Sequence, residues 1–170
     1  MPEQPPAASP QSLTPGAALT AHHVLEYPYT RSTGDVIGRF FASLKQRLIT
    51  GIRTPAGRVL CPPLEYDPST GDSLLDADWV DLPDTGTVTS WTWIEHPRPK
   101  HPLDHPFAYA LIKIDGADTS LLHLLIAPSS AARSEPPQPA ITTGMRVRAR
   151  WREDPTGDIT DIEYFVPEAG

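Results

Sequence analysis

Cysteine is almost absent from this chain: Cys61 stands alone among 170 residues. No disulfide can close within it, and the simplest compartment for such a composition is the cytosol. Positive charge is also scarce. Lys and Arg number 14 against 21 Asp and Glu, giving a formal net charge of -7 and a pI near 5.2. That is a poor basis for nonspecific nucleic-acid binding, which needs clustered cations along a phosphate backbone. No apolar run approaches the roughly 18 residues of a membrane span, and the first residues lack the basic and apolar regions of a signal peptide. Proline, by contrast, is abundant, with 21 residues, which disfavours helix interiors and suits loops and β-structure. Apolar residues make up 39% of the chain, enough for one medium domain with a core of its own.

Three parts are expected along the chain. Residues 1–30 open with a Pro/Ala/Ser/Gln-rich stretch without periodicity and read as a disordered tail or tether. The pair His22 and His23 has no acidic or cysteine companion and makes a weak metal site. Residues 31–84 begin with helix-capping chemistry at Ser32 to Asp35, followed by Ile37, Phe40, Phe41, Leu44 and Leu48 at spacings of three and four. This predicts one amphipathic helix of about four turns, with Phe40 and Phe41 as candidates for packing or partner docking. Two turn motifs follow, TPAG and DPSTG, each flanked by short β-prone pieces. Together they form the skeleton of a zinc ribbon without its metal ligands.

Residues 85–170 predict a small β-barrel from five strand-like runs: GTVTSWTWIEH, FAYALIKIDG, TSLLHLLIA, GMRVRARW and DIEYFVP. Alternation places Val88, Ser90, Thr92 and Ile94 on one face of the first run, and Thr89, Trp91, Trp93 and Glu95 on the other. In the second, Ala108, Ala110, Ile112 and Ile114 suit a tight interior, while Phe107, Tyr109, Leu111 and Lys113 point outward. Trp91, Trp93, Phe107 and Tyr109 would then form an apolar patch too large to leave in water. Another part of the chain, a partner subunit or a flat ligand is expected to cover it. A nucleic-acid-binding module stacking bases on these rings is the alternative, opposed by the net charge.

Between the first two runs, HPRPKHPLDHP carries His96, His101, Asp104 and His105. Its prolines keep it extended, so nothing makes the imidazoles converge on a metal. His96, Asp104 and His105 remain candidates for proton transfer in a partner's active site, whereas His123, between two leucines, reads as a barrel residue. A loop of Pro, Ser and Ala covers residues 127–142. Arg146, Arg148, Arg150 and Arg152 share one strand face. A simple hairpin closed at DPTG would set Arg150 opposite Asp161 and Arg148 opposite Glu163, leaving Arg146 and Arg152 free for a phosphate or two on a small ligand.

A helix, a ribbon and a five-stranded antiparallel barrel in this order, with FFASLKQR, GRVLCPP, GTVTSWTW, PFAYALIKIDG and TGMRVRARW as marks, resemble the OB-fold proteins with an N-terminal zinc ribbon that accompany thiolases. The resemblance spans about Gly34 to Pro167. It implies Cys-x-x-Cys pairs at positions here occupied by Arg53 with Ala56 and by Asp67 with Thr70, none able to act as a thiolate. Zinc is therefore not expected, and the ribbon should be held by packing of Leu60, Leu64, Tyr66, Leu74, Leu75 and Trp79. Metal-less members resemble partner subunits of lipid-transfer-protein-like thiolases and aldolases of steroid side-chain breakdown. The resemblance thus implies a non-catalytic subunit, with no cofactor of its own, that stabilises a thiolase-like aldolase, in a heterotetramer, and helps it admit an acyl-CoA.

Overall fold

The computed structural model describes residues 32–126 and 140–168, plus Leu25, Tyr27, Tyr29 and Thr30 before them. Most of the expected tail, the His22–His23 pair and most of the Pro/Ser/Ala loop lie outside the described residues. One helix, α1 (Gly34–Leu44), leads into a three-stranded sheet of β1 (Ile49–Arg53), β2 (Val59–Leu60) and β3 (Asp78–Leu82) in the order β2-β1-β3. Five further strands follow: β4 (Thr85–Ile94), β5 (Phe107–Ile114), β6 (Leu121–Leu125), β7 (Arg146–Trp151) and β8 (Ile162–Pro167). They close into a barrel in the order β4-β5-β6-β8-β7. All five predicted strands are present.

The barrel is mixed rather than wholly antiparallel. An odd number of strands cannot alternate direction around a closed ring, so at least one neighbouring pair must run parallel. That pair is β6 and β8, which meet only at Leu125 and Phe165, where the Ile126 amide donates to the Phe165 carbonyl at 2.9 Å. The interior is filled by Val88, Ala108, Ala110, Ile112, Ile114, Leu125, Val147, Ala149, Ile162 and Phe165. Small residues on β5 let the ring close tightly. Gly86 serves the same end, because a Cβ there would lie 2.6 Å from the Lys113 carbonyl oxygen.

Helix α1 is three turns long, one fewer than the spacing predicts. Its start is supported by the Ser32 hydroxyl, which accepts from the Gly34 amide at 3.2 Å. Its buried stripe is Val36, Phe40 and Leu44, so Val36 rather than Ile37 leads it, and Leu48 lies beyond its end. Arg47 terminates the turn at φ 59°, a left-handed conformation that costs a non-glycine residue about 1 kcal/mol. The same side chain donates to the carbonyls of Arg152 and Glu153 at 3.3 and 3.1 Å, tying the helix end to the barrel.

Phe40, Leu44, Ile49, Val59, Cys61 and Leu82 belong to the same core as the barrel interior. Polar ties reinforce the junction: Asp118 accepts from the Val59 amide and Thr119 from the Cys61 amide, both at 2.8 Å. Burial pushes the Cys61 thiol up to about 12, leaving it unreactive near neutral pH. The ribbon keeps a small core of Ile52, Leu60 and Leu74 with Trp79 against it. Leu64, Tyr66 and Leu75, expected to pack there, are exposed. The Arg39 guanidinium lies 4.3 Å above the Trp79 ring, a cation–π contact joining helix to ribbon.

Candidate functional site

The first barrel strand departs from simple alternation. A β-bulge between Val88 and Ser90 inserts Thr89, so Val88 faces Ile112 while Trp91 and Trp93 face Ala110 and Ala108. One extra residue reverses the parity of everything after it. Trp91 and Trp93 therefore share the inward side with Val88, half-buried against the core, and Ser90 and Thr92 face outward. The expected outer tryptophan patch does not form. Trp93 is further fixed by donating from Nε1 to Glu95 at 3.1 Å.

Phe107 occupies an outward position yet is 0% exposed, because the loop of residues 95–106 folds back over it. That loop is not extended. It makes a tight turn in which the Arg98 amide donates to His101 Nδ1 at 3.0 Å and the His101 amide to the Arg98 carbonyl at 2.9 Å. The His101 ring then meets the Phe107 edge-on at 5.9 Å, and Phe107 meets Tyr109 in the same manner at 5.1 Å. Phe40 and Phe107, two of the expected interface residues, are thus interior; Phe41 is half-buried against the core.

Of the loop candidates, only Asp104 and His105 come together, with Oδ1 and Nδ1 3.1 Å apart. His105 holds Asp104 below the usual carboxylate range, chiefly through this hydrogen bond. Both residues and His96 are exposed, and His96 joins neither. Among the described residues no three His, Cys, Asp or Glu side chains converge as a metal site would require. At the ribbon positions, Asp67 is buried and accepts from the Ser69 amide at 2.8 Å. Arg58 donates to the Ser69 hydroxyl at 2.8 Å, linking the two turns directly.

The arginine strand also differs from expectation. A short 3-10 helix, Ile159–Asp161, precedes β8 and shifts the register, so Arg150 faces Tyr164 and Arg148 faces Val166. Asp161 is fully buried and does not meet Arg150. It accepts from the amides of Thr156, Gly157 and Asp158 at 2.7, 2.7 and 3.2 Å. Burial pushes its pKa up, but these donors outweigh that and hold it below the ordinary value.

Arg146 is not free for a phosphate. Its guanidinium grips Asp115 with two bonds of 2.6 Å and Glu168 with one of 3.2 Å. Asp115 is held down to about 2, first by Arg146, with the Thr85 hydroxyl adding to it against some opposing burial. Arg148 pairs with Asp84 and Glu168. The Arg152 guanidinium donates to the Thr160 hydroxyl at 3.4 Å, and among the described residues Arg150 and Arg152 form no ion pair. A strand that looks cationic in sequence is thus half neutralised.

The apolar outer surface lies instead on β5 and β6. Tyr109 faces Leu124 and Leu111 faces Leu122 across the strands, with Leu122 60% and Leu111 40% exposed. Beside them a cavity of about 230 Å³ opens between Tyr109, Leu122, Leu124, Ile159 and Ile162, with Pro102 at one end. It exists because β6 and β8 pair at a single position and then diverge. His123 lines it as well. The ring donates from Nε2 to the Ile159 carbonyl at 3.3 Å and packs edge-on against Phe165 at 5.6 Å. Burial lowers its pKa despite nearby carbonyls, and Nδ1 has no hydrogen-bond partner among the described residues. Leu111 is outward as its alternation predicts, whereas the part played by Leu122, Leu124 and Ile159 escaped the sequence argument. The signal was present in LLHLL, whose alternate positions are apolar on both faces.

The strand order, with two strands and two loops framing one cleft, is that of an OB-fold. Residues 79–152 match the family model of the ChsH2 C-terminal OB-fold domain. The barrel is an OB-fold similar to the C-terminal domain of ChsH2. A chain from the solved Ltp2–ChsH2(DUF35) aldolase superposes with a TM-score of 0.56 at 25% identity, covering 81% of this chain and 98% of that one. A DUF35-family protein of unknown function from Sulfolobus solfataricus superposes at 0.51 and 22% identity, over 69% of this chain and 78% of that one, and shows the fold alone. No curated protein matches. No described helix is long and apolar enough to cross a membrane.

Proposed function

We propose that this protein is an accessory subunit of a thiolase-like aldolase. The observation that carries the proposal is the likeness to a chain of the Ltp2–ChsH2(DUF35) aldolase along nearly that chain's whole length. The physical character of the surface supports it. The cleft an OB-fold commonly offers to ligands is here aliphatic, bordered by Glu163 and without a lysine or arginine among its lining residues, while two of the three β7 arginines are tied to carboxylates. Such a surface suits a protein partner better than a nucleic acid.

In its sharpest form the proposal makes the complex a cytoplasmic retro-aldolase of steroid side-chain acyl-CoA substrates, assembled as a heterotetramer. The thiolase-fold subunit carries the chemistry. This chain stabilises it and helps admit the acyl-CoA, without zinc or another cofactor of its own. The exposed Asp104–His105 pair has no scaffold holding it to a reacting atom. Co-expression with a thiolase-like aldolase subunit should yield one complex on gel filtration, cleaving a steroid acyl-CoA aldol only when both chains are present. Separate elution at micromolar concentration refutes the proposal.

A further inference from the structure

The cleft between β6 and β8 supports a sharper statement about how that assembly is held, and it rests on the assembly proposed above. At about 230 Å³, it falls below the roughly 300–1,000 Å³ usual for small-molecule sites. That volume suits one or two inserted side chains. Its walls are Leu122, Leu124, Tyr109, Ile159 and Ile162, and its rim charge is the single carboxylate of Glu163, which repels phosphates. The walls come from fixed elements: β5 and β6 share a five-residue ladder, and the 3-10 helix carrying Ile159 is fastened by the buried Asp161 and by His123. Preformed apolar pockets at the centre of a contact, ringed by less important residues, are where association energy concentrates.

We propose that this cleft is the socket for an apolar anchor side chain presented by the thiolase-like subunit, with Leu111, Leu122 and Tyr109 forming the surrounding contact. The face is then that of β5 and β6, not that of Trp91 and Trp93, which turn inward. The proposal distinguishes residues that are apolar and half-buried for folding from those that are apolar and exposed for association.

The test uses the co-purified complex and full-length chains. Leu122→Glu should weaken association about 30-fold or more, because a carboxylate would have to be buried against the partner. Leu111→Glu should weaken it less. Arg150→Gln, two strands away on β7, should change it by no more than about twofold. Because Leu122 and Leu111 are exposed, circular dichroism and melting of both variants should match the wild type, separating lost docking from misfolding. Wild-type affinity in Leu122→Glu, with the complex otherwise intact, overturns the socket and leaves the subunit assignment standing. Absence of any wild-type complex refutes the subunit assignment itself. Two other outcomes also overturn the socket: shifts of the Leu122 and Leu124 methyl resonances on adding a steroid acyl-CoA to the isolated chain, and a homodimer of the isolated chain that Leu122→Glu disrupts.

Discussion

Asp161 offers the most incisive test of the barrel's construction. Replacing it by alanine removes the acceptor for three backbone amides, at 2.7, 2.7 and 3.2 Å, from a carboxylate with no solvent exposure. Charge-assisted bonds of this kind contribute about 1.5–3 kcal/mol each, and stranded donors cost about 1–3 kcal/mol. Water can reach part of the vacated turn, so the net loss should be about 3 kcal/mol, or about 10 °C in melting temperature for a domain of this size. Asp158, the exposed cap whose carboxylate accepts from the Thr160 amide at 3.0 Å and closes a capping box with Asp161, should cost about 1 kcal/mol when changed to alanine. The pH dependence has a definite sign. The folded pKa of Asp161 lies below its ordinary value, so its contribution is complete above about pH 4 and fades as pH falls through the lower folded value. Thermal unfolding of both variants, followed by circular dichroism at neutral pH and again near pH 3, reads all of this. A loss below about 1 kcal/mol for Asp161→Ala, or a gap from wild type that widens in acid, would falsify the assignment of Asp161 as the anchor of this turn.

Other expectations concern neighbouring features. Phe107→Ala should cost about 3–5 kcal/mol and loosen the loop of residues 95–106, seen as faster amide exchange at His101; a mild, solvent-exposed phenotype would contradict its burial. Trp91→Ala should lower stability without altering partner affinity at saturating folded protein, the reverse of Leu122→Glu. Alanine at His96, Asp104 or His105 should leave turnover of the reconstituted complex within about twofold, since exposed pairs contribute little, and a tenfold drop would make the loop part of the active site. Elemental analysis of purified protein should find no stoichiometric zinc, and unfolding should be insensitive to chelators.

Local chemistry was enough to specify a great deal of this molecule. The five β-prone runs, Phe40 and Leu44 within the amphipathic stripe, and the small interior face of Ala108, Ala110, Ile112 and Ile114 follow from side-chain size and period alone, because burial selects them wherever the strands pair. Which residues remain at the surface was decided elsewhere. A single bulge at Thr89 turned two tryptophans inward, a folded-back loop hid Phe107, and a 3-10 turn around Asp161 slid the arginine strand against new partners. Each depends on contacts between segments far apart in the chain, whose energies no period in the sequence expresses. The cleft beside Leu122 has the same origin, since it opens only where two distant strands, one pairing short, part company.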